Sequence, residues 1–371
     1  MDELTALTRD LVAIPSHDGE AAAGDFVEEW LRAETDAEVT RDDADDAARG
    51  GNVVARRGAT DDPDAPTLAF VGHHDVVPPD DGQVDTDGSY VVRERDGRLY
   101  GRGTADMKGA DAAMLLAFRD ADPAEGIELV FASFVGEEVG GVGARHAIEA
   151  GFAPDWALVA EGSTGYSEPD TVDVAVAHKG RRGSTVTAHG SAAHASEPHA
   201  GENAVYRACD AVDVIRDLDW PSVTVAGEEL SGSVVVTGIE GGSAWNVVPE
   251  SCEVTVDERT VPGERADLAH VEHIDGVSWT VDQDLPPMRC SDDAFADAAL
   301  DAVRDVQDGA GELVTKPHAT DAGWLAQAGT ACVVCGPAEP GEAHTAEESV
   351  SIDVLERCYE SYRRLAADWT G

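Results

Sequence analysis

The chain has 371 residues, 42% of them hydrophobic, which is enough for two or three domains with sizeable cores. Its 74 acidic residues outnumber the 26 basic ones, and the formal net charge of −48 argues against nucleic acids and anionic membranes as partners. No apolar run approaches the ~18 residues of a membrane span, and the N-terminal segment lacks the pattern of a secretory signal, so we expect a cytoplasmic protein.

The first part of the chain alternates between predicted helices and strands. Two amphipathic helices are predicted within residues 1–32, on either side of a loop at 14–19. A polar stretch at 40–66 is predicted to be a solvated loop around one short strand at 52–55. Buried strands follow at 67–72, 127–135 and 156–160, with a long loop after the first, a helix at 108–119 and another that ends near 150. This alternation predicts an α/β domain with a largely parallel sheet.

From residue 172 onwards the pattern changes to apolar and polar residues in alternation. Segments 172–177, 184–189, 233–238 and 251–259 show this period of two, which is typical of a sheet with one solvated face. One helix is predicted among them, at 203–217, and the segment ends near two prolines at 286–287. The last part of the chain again predicts α/β elements, namely a helix at 293–306, a strand at 331–335 and a helix at 353–368. We therefore predict an α/β domain from residues 1–175 and 288–371, with an α+β insert at 176–287.

Residues of the types that commonly ligate metals follow four of the predicted α/β strands. They are His73 after AFVG, Glu137 and Glu138 after ASFVG, Glu161 after LVA, and His344 in the loop after ACVVCG. Open α/β sheets form their sites at the carboxyl ends of the strands, so we expect these side chains to converge. Asp106 lies in the glycine-rich turn GRGTADMKG, just before a helix. Such a set, with one shared carboxylate, suits two zinc ions about 3.5–4 Å apart.

Two short segments predict separate roles for neighbouring residues. In GHHDVVP, strand alternation puts His73 and Asp75 on one face and His74 on the other. A histidine with a carboxylate two residues later suits a metal ligand and its orienting partner, whereas we expect His74 to be structural. In VGEEVGGVG the adjacent side chains of Glu137 and Glu138 diverge, so one can bind metal while the other acts beside it.

The basic residues suggest a salt-adapted protein. Only Lys108, Lys179 and Lys316 are lysines, and the other 23 basic residues are arginines. At a net charge of −48 the folded chain repels itself, and that cost falls when salt shortens the Debye length to about 3 Å at 1 M. An acidic excess with so little lysine resembles the proteins of organisms that accumulate salt, and we predict a halophilic protein.

Five segments together resemble a known family: GHHDVVP, GRGTADMKG, GEE, AEG and AHTAEES. In order and spacing they are similar to the di-zinc family of succinyl-diaminopimelate desuccinylase, acetylornithine deacetylase and glutamate carboxypeptidase. The resemblance covers about residues 65–350. It implies a zinc-exopeptidase-like catalytic domain, formed by the two outer parts of the chain, and an inserted ferredoxin-like domain that serves as lid and dimerisation domain of a homodimer.

The same resemblance implies a role for each residue of the predicted centre. One zinc ion would be held by His73 and Glu161 and the other by Glu138 and His344, with cobalt as an alternative metal. Asp106 would bridge the two ions. Glu137 would be the general base, and Asp75 would orient His73.

The insert contains two further segments that resemble the family. GSAAHASEPHAGENAV is similar to its lid motif, which implies that His194 polarises the scissile carbonyl in the partner's active site; a polar loop residue is the alternative. NVVPESCEVTVDERTVP implies that Asn246 and Arg259 bind a substrate carboxylate, for which the planar guanidinium is well suited. An ion pair of Arg259 with Asp257 or Glu258 is the alternative.

Two other segments suggest different substrates. GRRGS, with Arg181 and Arg182 as further expected substrate-binding residues, resembles the desuccinylase. HATDA at 318–322 is closer to the acetylornithine deacetylase.

We therefore expect a zinc amidohydrolase of amino-acid biosynthesis that removes an acyl group from a small N-acyl amino acid. A carboxypeptidase or dipeptidase that cleaves short peptides on the same scaffold is a second hypothesis. A non-catalytic acidic metal-binding protein is a third. Glu137 argues against the third, because a binding protein would not need a free carboxylate beside a complete set of ligands.

Overall fold

The computed structural model describes residues 2–45, 48–60, 62–86 and 88–371. The chain forms two compact units. The first comprises Met1–Ala177, Met288–Lys316 and Thr320–Gly371, and the second comprises His178–Pro287 and Pro317–Ala319.

Eight α-helices occur in the described residues. They are α1 (Asp2–Val12), α2 (Ala21–Glu34), α3 (Gly109–Asp120), α4 (Val142–Glu149), α5 (Ala204–Arg216), α6 (Asp293–Arg304), α7 (Ala322–Gln327) and α8 (Ile352–Asp368). Short 3-10 turns lie at Asp81–Gln83, Pro198–Ala200 and Leu268–His273, and a π-helical turn at Thr104–Lys108. Asn203, Asp292 and Ser351 cap α5, α6 and α8, because their side chains accept first-turn N–H groups that have no partner inside the helix.

Twenty β-strands occur in the described residues. They are β1 (Glu38–Arg41), β2 (Val53–Gly58), β3 (Thr67–His73), β4 (Arg93–Arg95), β5 (Arg98–Tyr100), β6 (Glu128–Phe134), β7 (Trp156–Val159), β8 (Val174–His178), β9 (Gly180–His189), β10 (Ala193–His194), β11 (Ser222–Val225), β12 (Glu228–Ser231), β13 (Ser233–Gly241), β14 (Val247–Val248), β15 (Ser251–Thr260), β16 (Val277–Leu285), β17 (Met288–Arg289), β18 (Leu313–Lys316), β19 (Ala331–Val334) and β20 (Ser349–Ser351).

A nine-stranded sheet runs through the first unit in the order β1-β2-β6-β3-β7-β19-β8-β17, with β18 paired to β8. The four central strands β6, β3, β7 and β19 are parallel. Antiparallel pairs flank them, β1–β2 and β2–β6 on one side and β19–β8 on the other. The predicted α/β fold with a largely parallel central sheet is confirmed.

The central strands are apolar because both of their faces are covered. β3 and β6 are buried at six of their seven positions, and α3 is buried from Gly109 to Phe118. One core cluster joins the sheet to α7 and includes Val71, Phe134, Val159 and Leu325. On another side α3 packs against α8. This packing fixes the carboxyl ends of the four parallel strands relative to one another.

An antiparallel sheet in the order β13-β15-β9-β16 forms the second unit. Exposed and buried positions alternate along most of β15, as the period of two predicts. The buried face, with Val186 and Val254, belongs to the same core cluster as Ala208 and Ile215 of α5. Two smaller pairs, β10–β14 and β11–β12, complete the strands of this unit.

The prediction for residues 172–177 was wrong. We expected a strand with one solvated face, but β8 is buried at all five positions and pairs with β19 in the main sheet. Its valines and alanines alternate in size, and both faces are packed, so the alternation does not reflect a solvated face.

Other elements were missed in stretches that look polar. β1 extends into the expected loop at 40–66 and pairs with β2. Residues 46, 47 and 61 of that stretch lie outside the described residues. The long loop after β3 contains the β4–β5 hairpin, and its residue 87 also lies outside the described residues. The prediction also missed β16, β18 and α7. Short polar strands carry little periodic signal, and pairing with a neighbour decides them.

Candidate metal centre and catalytic site

Four adjacent parallel strands deliver the predicted ligands to one edge of the main sheet. His73 is the last residue of β3, and the loops after β6 and β7 carry Glu138 and Glu161. The loop after β19 carries His344, which has a left-handed backbone with φ of 61°. A histidine in that region is uncommon and points to a position fixed by its surroundings. Asp106 comes from the turn before α3.

These residues form two groups that share Asp106. Nε2 of His73 lies 3.1 Å from Oδ1 of Asp106 and 3.4 Å from Oε1 of Glu161. Nε2 of His344 lies 3.0 Å from Oδ2 of Asp106 and 3.0 Å from Oε1 of Glu138. In each group the ligand atoms all lie within 4.8 Å of one another. Asp106 therefore presents one oxygen to each group, as expected of a bridging carboxylate.

The chemistry of the two groups fits divalent cations. Hydrogen bonds with Asp106 and Glu138 raise the pKa of His344 to about 10. Burial alone would lower the pKa of His73, but its carboxylate partners, Asp106 first, raise it well above the usual range. Protons and a cation compete for these nitrogen atoms, so metal binding would release the protons. Imidazole nitrogens and carboxylate oxygens are the donors that zinc takes in catalytic sites.

Asp75 connects the ligand His73 with the loop after β6. Its Oδ1 lies 3.2 Å from Nδ1 of His73, on the face that strand alternation predicts. The same carboxylate accepts the backbone N–H groups of Glu137 and Glu138, each at 3.1 Å. Burial works to raise the pKa of Asp75, but His73 holds it below its usual range. Such a partner keeps the Nδ1 proton of His73 in place and leaves Nε2 for a metal. His74 points away and bonds to Ser133 Oγ through Nδ1 at 2.9 Å.

Glu137 differs from the acidic residues of the two donor groups, Asp106, Glu138 and Glu161. The described part of the chain gives its carboxylate no hydrogen-bond partner, whereas Glu138 contacts His344. Burial raises the pKa of Glu137 well above its usual range, and the nearby carboxylates of Glu161 and Asp321 add to this. A carboxylate with a raised pKa beside the ligand groups is suited to accept a proton and return it.

The loop of Glu137 and Glu138 is shaped by glycines and by a helix that the sequence did not reveal. Gly136 and Gly141 have φ of 63° and 71°, which favours glycine at both positions. A Cβ on Gly141 would lie 2.6 Å from Nε1 of Trp324 and 2.7 Å from Oδ1 of Asp321. Gly141 thus lets α7 and the residue before it approach the loop closely.

Three further residues around the centre were missed by the sequence analysis. Glu20 is buried, accepts the N–H of Gly136 at 2.9 Å and pairs with Arg49. Lys316 is buried, and its Nζ lies 3.9 Å from Oε2 of Glu161. Asp321 is buried, neither of its carboxylate oxygens has a partner among the described residues, and burial raises its pKa to about 7. Among 74 acidic residues no local pattern distinguishes Glu20 or Asp321.

The arginines expected to bind substrate all lie in the second unit. Nε of Arg259 donates to Oδ1 of Asp257 at 2.7 Å, and Nε of Arg181 donates to Oδ2 of the same carboxylate at 2.8 Å. The ion pair considered as an alternative is therefore present. Because two guanidinium groups share Asp257, this trio keeps one uncompensated positive charge. Arg259 and Arg181 remain partly exposed.

Arg182 has different surroundings. It is buried, pairs with Glu258, donates to the carbonyl of Ala266 at 3.1 Å and stacks over Trp279. These contacts occupy its guanidinium inside the second unit. Unlike Arg181 and Arg259, Arg182 is therefore not free to bind a substrate.

His194, on β10, and Asn246, in the turn before β14, lie next to each other in the second unit. β10 pairs His194 with Val247, and the backbone N–H of Ala195 donates to the carbonyl of Asn246 at 2.8 Å. The N–H of Ser196 donates to Nδ1 of His194 at 3.2 Å. Nδ1 is therefore an acceptor, and the ring proton of a neutral His194 belongs to Nε2, which can donate.

Comparison with known proteins gives one family. A sequence profile described as Peptidase family M20/M25/M40 matches residues 69–368. The acetylornithine deacetylase of Myxococcus xanthus is 29% identical over 335 residues, which cover 86% of this chain and 84% of that protein. The succinyl-diaminopimelate desuccinylase of Dechloromonas aromatica is 30% identical over 341 residues, which cover 85% of each.

Solved structures share the fold at lower identity. The aminopeptidase PepT of Bacillus cereus gives a TM-score of 0.78 at 19% identity, over 98% of this chain and 97% of that one. The YXEP protein of Bacillus subtilis, described as a dinuclear metal-binding peptidase of the M20 family, gives 0.70 at 16% identity, over 98% and 97%. None of the described helices combines the length and the apolar composition needed to cross a membrane.

Proposed function

The chain belongs to peptidase family M20/M25/M40, which confirms the resemblance of its motifs, and we propose that it is a two-zinc hydrolase that removes the acyl group from N-acyl amino acids. The family consists of metal-dependent hydrolases that act on amide bonds. The finer proposal rests on the site and on the relatives, a deacetylase and a desuccinylase of amino-acid derivatives.

The observation that carries this proposal is the placement of Asp106. Its two oxygens lie 3.1 Å from His73 and 3.0 Å from His344, so one carboxylate serves both donor groups. We propose that His73 and Glu161 hold one zinc ion and that Glu138 and His344 hold the other. Bound zinc would supply Lewis-acid polarisation of the amide carbonyl and an acidified water, with a pKa near ~7 in place of 15.7.

Glu137 provides the proton transfer in the proposed reaction. Its free carboxylate takes the proton of the attacking water, and its raised pKa lets it hold that proton until the amine leaves. Asp75 supports this step, because its bond to the Glu137 N–H fixes the backbone from which the base extends.

We propose that groups of the second unit bind the substrate carboxylate. Arg259, with Arg181 beside it, presents the uncompensated positive charge of the Asp257 trio, which suits a substrate carboxylate next to the scissile amide. Asn246 is exposed next to the His194 segment, and its side-chain amide would add a donor there. A protein with a net charge of −48 repels anionic ligands over most of its surface, so an anionic substrate needs a cationic group where it binds.

We further propose a homodimer formed by the second unit. Its edge strand β13 leaves Val235 and Ile239 exposed, and an unpaired edge with apolar side chains favours association. His194 would then donate its Nε2 proton to the developing oxyanion in the other subunit. Mixing inactive His194→Ala chains with inactive Glu137→Gln chains should restore some activity, because one site of a mixed dimer keeps both groups. No recovery despite proven subunit exchange would place His194 outside this role.

A substrate panel tests the proposed function. The chelator-treated protein, reloaded with zinc or cobalt in molar KCl, is assayed with N-acetylornithine, N-succinyl-diaminopimelate, their methyl esters and unmodified dipeptides. We expect the free N-acyl amino acids to be hydrolysed and the esters to be turned over about 10-fold or more slowly, since a charge-assisted contact is worth roughly 1.5–3 kcal/mol. Faster turnover of dipeptides would favour the peptidase hypothesis instead.

A further inference from the structure

The turn that carries Asp106 is held by one carboxylate from a distant loop. Oε1 of Glu348 accepts the backbone N–H groups of Gly103 at 2.9 Å, Ala105 at 3.0 Å and Asp106 at 3.2 Å. Glu348 is 1% exposed, so water does not compete for these bonds. Asp106 and Glu348 are 242 residues apart in the chain.

The turn needs such an acceptor because its backbone is not helical. Asp106 has φ −132° and ψ 95°, and Met107 has φ −133° and ψ 28°. Buried N–H groups require a partner, and those of Gly103, Ala105 and Asp106 find it in the Glu348 carboxylate. A single oxygen of Glu348 is thus the acceptor for three of the four residues from 103 to 106.

The other oxygen of Glu348 is also engaged. Oε2 accepts from Nη1 of Arg102, which is itself 2% exposed. Nη2 of Arg102 donates to the carbonyl of Pro78 at 3.3 Å and lies 3.8 Å from Oδ2 of Asp80. The Glu348 side chain therefore has a fixed orientation from both sides.

Backbone contacts join Glu348 to the segment that leads into the turn of Asp106. Its own carbonyl accepts the N–H of Gly101 at 3.1 Å, and the next residue, Ser349, pairs with Tyr100 in the β20–β5 ladder. His344 lies four residues earlier on the same loop. Glu348 thus ties the loop that bears His344 to the turn that bears Asp106.

We propose that Glu348 is a positioning residue that fixes Asp106 between the two metal-binding groups. This inference rests on the proposed two-metal function and deepens it. Glu348 contacts neither substrate nor metal in this role; it acts through the three amides of the turn. Without it, the turn loses the acceptor that sets the direction of the Asp106 side chain, and the shared carboxylate no longer faces both histidines.

The chain offers a matched control in the adjacent residue. The side chain of Glu347 is 82% exposed, and Arg95, at 3.9 Å, is its ion-pair contact. Glu348→Ala, Glu348→Gln and Glu347→Ala would be compared with the wild type as full-length protein in molar KCl, with circular dichroism and thermal melting to verify folding. Zinc affinity and stoichiometry are measured by competition with a chromophoric chelator, and amide hydrogen exchange is followed in the metal-free proteins.

We expect Glu348→Ala to bind zinc about 10–100-fold more weakly, the range for residues that orient metal ligands. Glu348→Gln, which keeps an acceptor oxygen but loses the charge, should fall between Ala and wild type, and Glu347→Ala should match the wild type. Exchange at Ala105 and Asp106 should accelerate in the Glu348 variants. A purely structural ion pair with Arg102 would instead lower the melting temperature and leave zinc affinity unchanged.

Wild-type zinc affinity in a folded Glu348→Ala protein, with unchanged exchange at Ala105 and Asp106, would overturn the proposal. If the alanine variant does not fold, zinc affinity and amide exchange are measured on Glu348→Gln instead. Wild-type values of both quantities overturn the proposal, and weaker zinc binding with faster exchange supports it. A wild-type protein that binds fewer than two zinc ions would count against the proposed function. The exchange data would still report separately on whether Glu348 holds the turn.

Discussion

Asp75 bonds to the backbone of Glu137: its Oδ1 accepts the Glu137 N–H at 3.1 Å. The same oxygen lies 3.2 Å from Nδ1 of His73. One buried carboxylate therefore joins a proposed metal ligand to the proposed base, although they follow different strands. A displacement of the Glu137 loop would therefore shift His73 through the Asp75 side chain, and a displacement of His73 would shift the loop.

Asp75→Asn should disturb both sides of this connection. The amide has one acceptor oxygen in place of two, and its NH₂ group would meet an N–H donor of the Glu137–Glu138 loop or the His73 ring. We expect zinc affinity or kcat to fall about 10–100-fold. Asp81→Asn, on the exposed 3-10 turn, is the control and should behave as wild type. Normal zinc affinity and kcat in the Asp75→Asn protein would show that the carboxylate is not needed.

Glu137→Gln should separate the base from the ligands. The Glu137 carboxylate has no partner among the described residues, so its loss should leave zinc content intact and lower kcat by ~10² or more. Glu138→Gln should instead weaken zinc binding, because Oε1 of Glu138 contacts His344 at 3.0 Å. Metal analysis and steady-state kinetics on both variants check this, and loss of zinc from Glu137→Gln would reverse the two roles.

His344→Ala should empty one of two metal sites. His344 belongs to the group with Asp106 and Glu138, and His73 belongs to the group with Asp106 and Glu161. We expect one tightly bound zinc per chain in the variant against two in the wild type, measured by elemental analysis after dialysis. A wild-type protein that is fully active with one tight ion would contradict the two-metal arrangement.

Asp111 predicts a pH dependence of stability. It is fully buried in α3, and neither carboxylate oxygen has a partner among the described residues. Burial raises its pKa from 3.8 to about 8, although nearby His73 and Lys108 oppose this. The folded state then binds a proton that the unfolded state has released, so this group destabilises the fold increasingly from about pH 4 to pH 8. The slope is at most about 1.4 kcal/mol per pH unit.

Asp111→Asn should remove that dependence while keeping the shape of the side chain. The melting temperatures of variant and wild type should be similar near pH 4–5, and the variant should become the more stable protein as the pH approaches 8. Parallel melting curves at every pH would show that Asp111 does not hold a proton in the folded protein.

The charge predicts a dependence on salt. At −48 the folded chain repels itself, and molar salt screens that repulsion by shortening the Debye length from about 10 Å at 0.1 M to about 3 Å at 1 M. We expect the melting temperature to rise steadily with KCl from the low to the molar range. A melting temperature that is indifferent to KCl would contradict the halophilic interpretation.

The sequence by itself determined which chemistry-bearing residues follow the central strands. Parallel strands bring their carboxyl ends to one edge, so the order of elements along the chain was enough to predict that His73, the Glu137–Glu138 pair, Glu161 and the loop of His344 meet there. Strand alternation likewise predicted that Asp75 faces His73. These inferences succeed because they depend on local periodicity and on a general rule of α/β sheets.

Only the tertiary structure decided which of the 74 acidic residues support that edge and how the neighbouring strands pair. Glu348 and Asp111 resemble surface residues in the sequence, and burial against segments far along the chain gives each its role. The same cause explains β8, where alternating valine and alanine indicated a solvated face that packing in fact covers. Burial and long-range hydrogen bonds arise from contacts between distant segments of the chain. A local pattern of residues therefore cannot predict them.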